Sequence, residues 1–349
     1  MKPILLYGAT GFSGSKIARR LVDESVDLLL AGRHAKKLAQ LGTVLDVPWQ
    51  VVQLTDSRCL DEVVSKCAFV FNLAGPYQET ADPVMQSALR CGVHYLDLAG
   101  EWPVFQKAIA LDEEASRAEV MLLPGMGFTI AVSDCLLAMA SKRFSSIERL
   151  RLAISSPDLV SAGTLKSMLG LVDRNVWICD QGEMKQIPVG SLNHYFYFGQ
   201  RPARATAVNW PDVFTASRST GVHTIEAFAE VGLLSEMTYR LSSEFSDLLS
   251  LPLFQRSLKA LSRYSPSARR KPEDSTGFVL TVEAIDAWRR SSFLSLRTKD
   301  GYTVTTDVAT KAVHQILSGH WKKGFQTPSL VFGADFIHNI SSVHFIDAQ

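Results

Sequence analysis

The stretch ILLYGATGFSGSKIARRL, residues 4–21, sets glycines at positions 8, 11 and 14 between an apolar run and an amphipathic one. A strand ending at Tyr7 must turn sharply there into a helix, expected to begin near Gly14. The start of that helix exposes unpaired N–H groups and the positive end of a dipole, which suits a phosphate. Gly8 permits the tight turn, Gly11 lets a pyrophosphate approach the backbone, and Gly14 lets the helix pack close to the strand. Thr10, Phe12 and Ser13 share the loop. Ala9 fills the middle position, so the pattern is G-x-x-G-x-x-G and not the stricter G-x-G-x-x-G, and the surrounding chain has to carry the reading.

The surroundings do carry it. Apolar runs recur at 3–7, 26–31, 49–53, 68–74, 93–98 and 119–124, and the segments between them have helical spacing, as in Ile17, Ala18, Leu21 and Val22 or Val84, Met85, Ala88 and Leu89. Six almost wholly apolar strands alternating with helices describe an α/β fold: a Rossmann-type, doubly wound parallel sheet buried on both faces. After Pro124 the periodicity becomes mixed, with a helical pattern at 133–144, alternating runs at 148–155, 191–199 and 277–288, and another helical pattern at 306–319. The expected division is a dinucleotide-binding domain over 1–125, a substrate or dimerisation domain of α+β type over 126–323, and a C-terminal segment, 324–349, returning to the first domain.

Composition narrows the function. A chain of 349 residues with 46% hydrophobic content suits two domains, and a net charge of +1 provides no global field to attract nucleic acid. The five cysteines are widely spaced with no C-x-x-C pair, which fits reduced thiols in a cytoplasmic protein better than disulfides or zinc. No uncharged stretch is long enough to span a membrane. Residues 251–272 carry Arg256, Lys259, Arg263, Arg269, Arg270 and Lys271 without an acid, either as a solvated loop with a short helix or as a lid or peripheral membrane contact.

The cofactor type is read after the second strand. An NAD site places Asp or Glu about 20 residues beyond the glycine loop for the ribose hydroxyl. Here Arg33 lies 19 residues after Gly14, with Lys36 and Lys37 just beyond. A guanidinium fork with a lysine suits a 2′-phosphate, so the expected cofactor is NADP(H). The nicotinamide belongs beside the segments following the fourth, fifth and sixth strands. In the first of these, Ala74, Gly75 and Pro76 leave room for a flat ring, and the Tyr77 phenol is the candidate proton donor, with packing against the cofactor as its other reading. Asp97 and Glu101 read as helix caps more readily than as substrate ligands, and His94, at the strand's start, reads as structural. Neither Tyr-x-x-x-Lys nor G-x-S-x-G occurs, and no histidine spacing suits a metal.

The segments GATGFSG (8–14), AGRHAKKL (31–38), NLAGPYQETADPVMQSALRCGVHYLDLAGE (72–101), GMGFTIAVSD (125–134), SAGTLKSML (161–169), NWPDVFTASRSTGVHTIEAF (209–228) and GFQTPSLVFGADFI (324–337) resemble the saccharopine dehydrogenase-like oxidoreductases, which include trans-acting enoyl reductases. The resemblance implies NADP-linked redox chemistry and a second domain built on an antiparallel sheet. Its substrate is then an amino-acid-derived imine or an unsaturated acyl chain. Arg201, Arg204 and Arg218 form only a scattered set for the first, and the HYFYF run, 194–198, favours the second slightly. The alternative is a non-catalytic sensor or scaffold that binds NADPH. A homodimer is compatible with either.

Overall fold

The computed structural model describes residues 2–155, 175–199, 202–230 and 277–346. Residues 161–169, Arg201 and the basic segment 251–272 lie outside them. The chain forms two compact units, Met1–Cys135 with Tyr302–Ile340, and Leu136–Gly301 with Ser341–Gln349.

The first unit alternates β1 (Ile4–Tyr7), α1 (Phe12–Asp23), β2 (Leu28–Gly32), α2 (Ala35–Leu45), β3 (Trp49–Val51), α3 (Ser57–Val64), β4 (Phe69–Asn72), α4 (Tyr77–Cys91), β5 (His94–Asp97), α5 (Trp102–Ala110), α6 (Asp112–Arg117), β6 (Met121–Leu123) and the start of α7 (Phe128–Arg143). The six strands form a parallel sheet in the order β6-β5-β4-β1-β2-β3. Every side chain of β1 and β4 is buried, which is why these runs are apolar without alternation. Helix α1 turns Gly14, Ile17, Ala18 and Leu21 to the core.

In the second unit β7 (Ile147–Ser155), β8 (Asn175–Asp180), β9 (Glu183–Pro188), β10 (Asn193–Tyr197), β11 (Pro202–Ala207), α8 (Asp212–Thr220), β12 (Thr224–Glu230), β13 (Val279–Asp286) and β14 (Ser291–Thr298) precede α9 (Gly301–Leu317), which lies in the first unit from Tyr302 on. Strand β15 (Gly324–Phe325) then adds a seventh parallel strand beside β6. Asp112 accepts a hydrogen bond from the Phe325 N–H, and a Cβ on Gly324 would fall 2.5 Å from that same carboxylate. After α10 (Pro328–Phe332) the chain ends in β16 (Val343–Ile346), which joins the second unit's sheet against β14.

Helix α9 thus belongs to the first unit from Tyr302, not from residue 324, and the last residues do not stay with it. Hydrogen-bond pairing decided this. A short apolar strand goes wherever a sheet edge is open, and periodicity does not say which edge that is.

Among the described residues the second sheet has nine strands, antiparallel except for the β7–β12 pair. In β10, Phe196 is buried while its neighbours Tyr195 and Tyr197 are 68% and 52% exposed. The HYFYF run is therefore strand alternation, half core and half surface, and does not favour an acyl substrate. Arg151 lies between the buried carboxylates of Glu226 and Glu283 at 2.8 and 3.2 Å, which neutralises charges that burial would otherwise expel. Arg204 lies on β11 and Arg218 in the last turn of α8, so they form no cluster along one element.

Candidate cofactor site

The loop after β1 is built around backbone approach. Gly8 has φ +87° and its N–H donates to the Ala31 carbonyl of β2. A Cβ on Gly8 would lie 2.6 Å from the Ala74 Cβ and 2.7 Å from its backbone, so the loops after β1 and β4 touch through a bare glycine. At Gly14 a Cβ would lie 2.9 Å from both Ala9 Cα and the Gly8 oxygen, so this glycine lets α1 close on its own loop.

Gly11 is different. Its backbone is extended, with φ −74°, and a Cβ there would meet nothing closer than the Gly8 oxygen at 3.5 Å. Neither strain nor internal crowding requires a glycine at this exposed position, and the space beside it is open. Gly11 is also the N-cap of α1, which begins at Phe12 and not near Gly14. It brings no capping side chain, and the first turn contains no acid. The N–H groups of that turn therefore receive no side-chain cap from Gly11 and lie at the positive end of the helix dipole, which can hold an anion.

Arg33 emerges from β2 beside this loop, since a Cβ on the preceding Gly32 would sit 3.8 Å from the Gly8 nitrogen. Arg33, Lys36 and Lys37 are exposed, and the first turn of α2 has no acid. Thr10 and Ser13 are half-buried in the glycine loop, and Phe12 is 48% exposed. Tyr302 of α9 stands edge-on to Phe12 with ring centroids 4.7 Å apart. Sequence reasoning did not find Tyr302, because no motif ties it to a loop almost three hundred residues earlier.

Ala74, Gly75 and Pro76 lead into α4, whose first residue is Tyr77. Burial, reinforced by the neighbouring carboxyl groups of Asp97 and Glu101, pushes the Tyr77 phenol well above its ordinary range and keeps it protonated at neutral pH. Glu101 does not cap α5 with its side chain. It accepts instead from Gly100 N–H at 2.9 Å and from Tyr77 N–H at 3.4 Å, which satisfies the start of α4. Asp97 is not a helix cap either. It is fully buried and ties loops together, accepting from Tyr95 Oη, Ala99 N–H and Gly125 N–H. His94 accepts a hydrogen bond from Met121 N–H through Nδ1 and stacks near Trp321, which makes it a structural residue.

Residues 4–123 match the family described as the saccharopine dehydrogenase NADP binding domain. The trans-acting enoyl reductase of Mycobacterium leprae is 30% identical over 139 residues, which is 38% of this chain and 33% of that protein. A lipid droplet localized protein of Caenorhabditis elegans is 26% identical over 186 residues, 48% of this chain and 44% of that protein. The matches thus span between a third and a half of these relatives' length. Apo saccharopine dehydrogenase (L-Glu forming) of Saccharomyces cerevisiae has the same fold over 99% of this chain and 100% of its own, with a TM-score of 0.69 at 11% identity.

The matched model is of an NADP binding domain, and the open cradle at Gly11, the uncapped helix and the basic Arg33 corner fit that cofactor. Among the described residues no helix is long and apolar enough to cross a membrane, and no group of His, Cys, Asp and Glu side chains could hold a metal.

The acid under this domain has a pH signature. Burial is the largest influence on Asp97 and pushes its carboxyl from 3.8 to about 6, against the hydrogen bonds that favour its charge. A carboxyl raised in the folded state contributes stability below its unfolded value, and loses it as pH rises through the folded value. The displacement corresponds to about 3 kcal/mol. An asparagine imitates the protonated acid, so Asp97→Asn should gain on the unmutated protein by about that amount between pH 4 and pH 7, as urea denaturation at each pH would show. A constant difference across this range would mean that Asp97 does not titrate there.

Proposed function

We propose that the chain is an NADP(H)-dependent oxidoreductase that reduces a C=C or C=N bond of a small or lipid-like substrate. The observation that carries this reading is the open cradle at Gly11 beside Arg33, at the edge of the sheet where Tyr77 also lies. Bound NADPH supplies a hydride. The first turn of α1 would hold the pyrophosphate, Arg33 and Lys37 the 2′-phosphate, and the Ala74–Pro76 turn the flat ring.

Tyr77 is the proton donor in this proposal. Its Oη keeps its proton at neutral pH, so it offers a hydrogen bond to an atom that gains negative charge as hydride arrives and gives up the proton once that atom is the stronger base. The relative named for enoyl reduction supports an unsaturated acyl substrate over an imine, although its similarity lies in a third of its length.

Stopped-flow oxidation of NADPH against enoyl thioesters and cyclic and open imines tests the reading. Turnover with one class and not the other names the bond. Tight NADPH binding with no turnover on any of them would leave an NADPH-dependent sensor. With an active substrate in hand, Tyr77→Phe should lower kcat by about 100-fold or more while NADPH affinity stays within about threefold, since only the hydroxyl is lost. Unchanged kcat would assign Tyr77 to packing.

A further inference from the structure

A buried chain of hydrogen bonds runs beneath the edge of the sheet where the nicotinamide belongs. Asp97 Oδ1 accepts from Ala99 N–H in the loop after β5 and from Gly125 N–H in the loop after β6, both at 2.8 Å. The Asp97 carbonyl also accepts from Met126 N–H at 2.7 Å. Its Oδ2 accepts from Tyr95 Oη at 2.7 Å, and that hydroxyl receives a hydrogen bond from Asn72 Nδ2 at 3.4 Å. Asn72 Oδ1 in turn accepts from Ala74 N–H at 3.1 Å, while Nδ2 also donates to Thr80, whose hydroxyl bonds the Ala74 carbonyl. Asn72, Tyr95 and Asp97 are all fully buried. None of them is open to a ligand; Asp97 and Asn72 hold loop backbone, and the Tyr95 hydroxyl joins the two.

The three loops so tied follow three neighbouring parallel strands, β4, β5 and β6. The glycine loop and Arg33 make no hydrogen bond to this network; the glycine loop is bonded to β2 and meets the loop after β4 only through the van der Waals approach of Gly8 to Ala74. The two halves of the dinucleotide site thus rest on different hydrogen bonds, with the Gly8–Ala74 approach between them.

We propose that Asp97 is the positioning residue for the nicotinamide half of the bound dinucleotide, setting the loops after β4, β5 and β6 as one piece through Tyr95 and Asn72. This rests on the reading of residues 4–123 as an NADP(H) site. A loop displaced by an ångström no longer presents its backbone to the ring, and because all three are joined through one carboxyl they shift together.

Two probes separate the halves. NADPH spans the whole site, and adenosine 2′,5′-bisphosphate reaches only the half beside Arg33. By calorimetric titration, Asp97→Ala should bind NADPH about tenfold or more weakly while adenosine bisphosphate changes by less than about twofold, because it frees two loop N–H groups on the nicotinamide side only. Asp97→Asn should keep NADPH affinity within about threefold, since its amide oxygen still accepts from Ala99 and Gly125 and its Nδ2 can donate to the Tyr95 hydroxyl, keeping that link with its direction reversed.

Equal losses of both probes in Asp97→Ala, no loss of either, or an asparagine variant as impaired as the alanine one would each overturn the proposal. If Asp97→Ala does not fold, Tyr95→Phe, which removes only the bridging hydroxyl, takes its place. It should still weaken NADPH alone, and equal losses there overturn the proposal as well. Failure of the unmutated protein to bind either probe would instead overturn the cofactor reading itself.

Discussion

Gly11→Val should fold as well as the unmutated chain, to within about 1 kcal/mol, and bind NADPH about 100-fold more weakly or not at all. The two halves of that expectation have separate causes. The extended backbone at Gly11 suits a β-branched residue, and the nearest atom to its Cβ would be the Gly8 oxygen at an ordinary 3.5 Å, so only the poorer N-cap costs stability. The valine methyl groups would then fill the space a pyrophosphate needs. Gly8→Ala is the contrasting variant. Its φ of +87° and its 2.6 Å approach to Ala74 should make it lose about 3 kcal/mol of stability. Thermal denaturation and NADPH fluorescence titration on both variants check the pair. A folded Gly11→Val with unchanged affinity would remove the glycine loop from the cofactor site.

Arg33→Asp should weaken NADPH by about 100-fold and NADH by less than about threefold, so that the variant prefers NADH. Arg33 is exposed beside the Gly8 turn with no acid in the first turn of α2, and a guanidinium there can form a charge-assisted fork with a 2′-phosphate. An aspartate reverses the charge and also provides the acceptor that a ribose hydroxyl uses. Equal losses for the two cofactors in calorimetric titration, or an unmutated protein that prefers NADH, would place the 2′-phosphate elsewhere. Lys37, one turn further on, should show the same selectivity to a smaller degree.

Both expectations could be written from residues 4 to 37 because the relevant physics is local. A glycine triplet between a buried strand and an amphipathic helix requires a turn with free N–H groups, and an arginine at the end of the next strand lies beside it in any parallel β-α-β arrangement. The six apolar runs likewise led to six parallel strands, since strands buried on both faces leave little choice of residue.

What the sequence determined by itself was this first sheet, its glycine loop and the charge expected of its cofactor, all of which follow from neighbours near in the chain. Only the tertiary structure decided that Gly11, unlike Gly8 and Gly14, has neither a left-handed backbone nor a close neighbour that calls for a glycine. It alone showed that Asp97 holds three loops where a helix cap was expected, that Tyr302 meets Phe12, and that the chain's end divides between two sheets. Each of these depends on which atoms approach across long stretches of chain, and residue type and spacing leave that undetermined because many partners satisfy the same hydrogen-bonding and burial requirements.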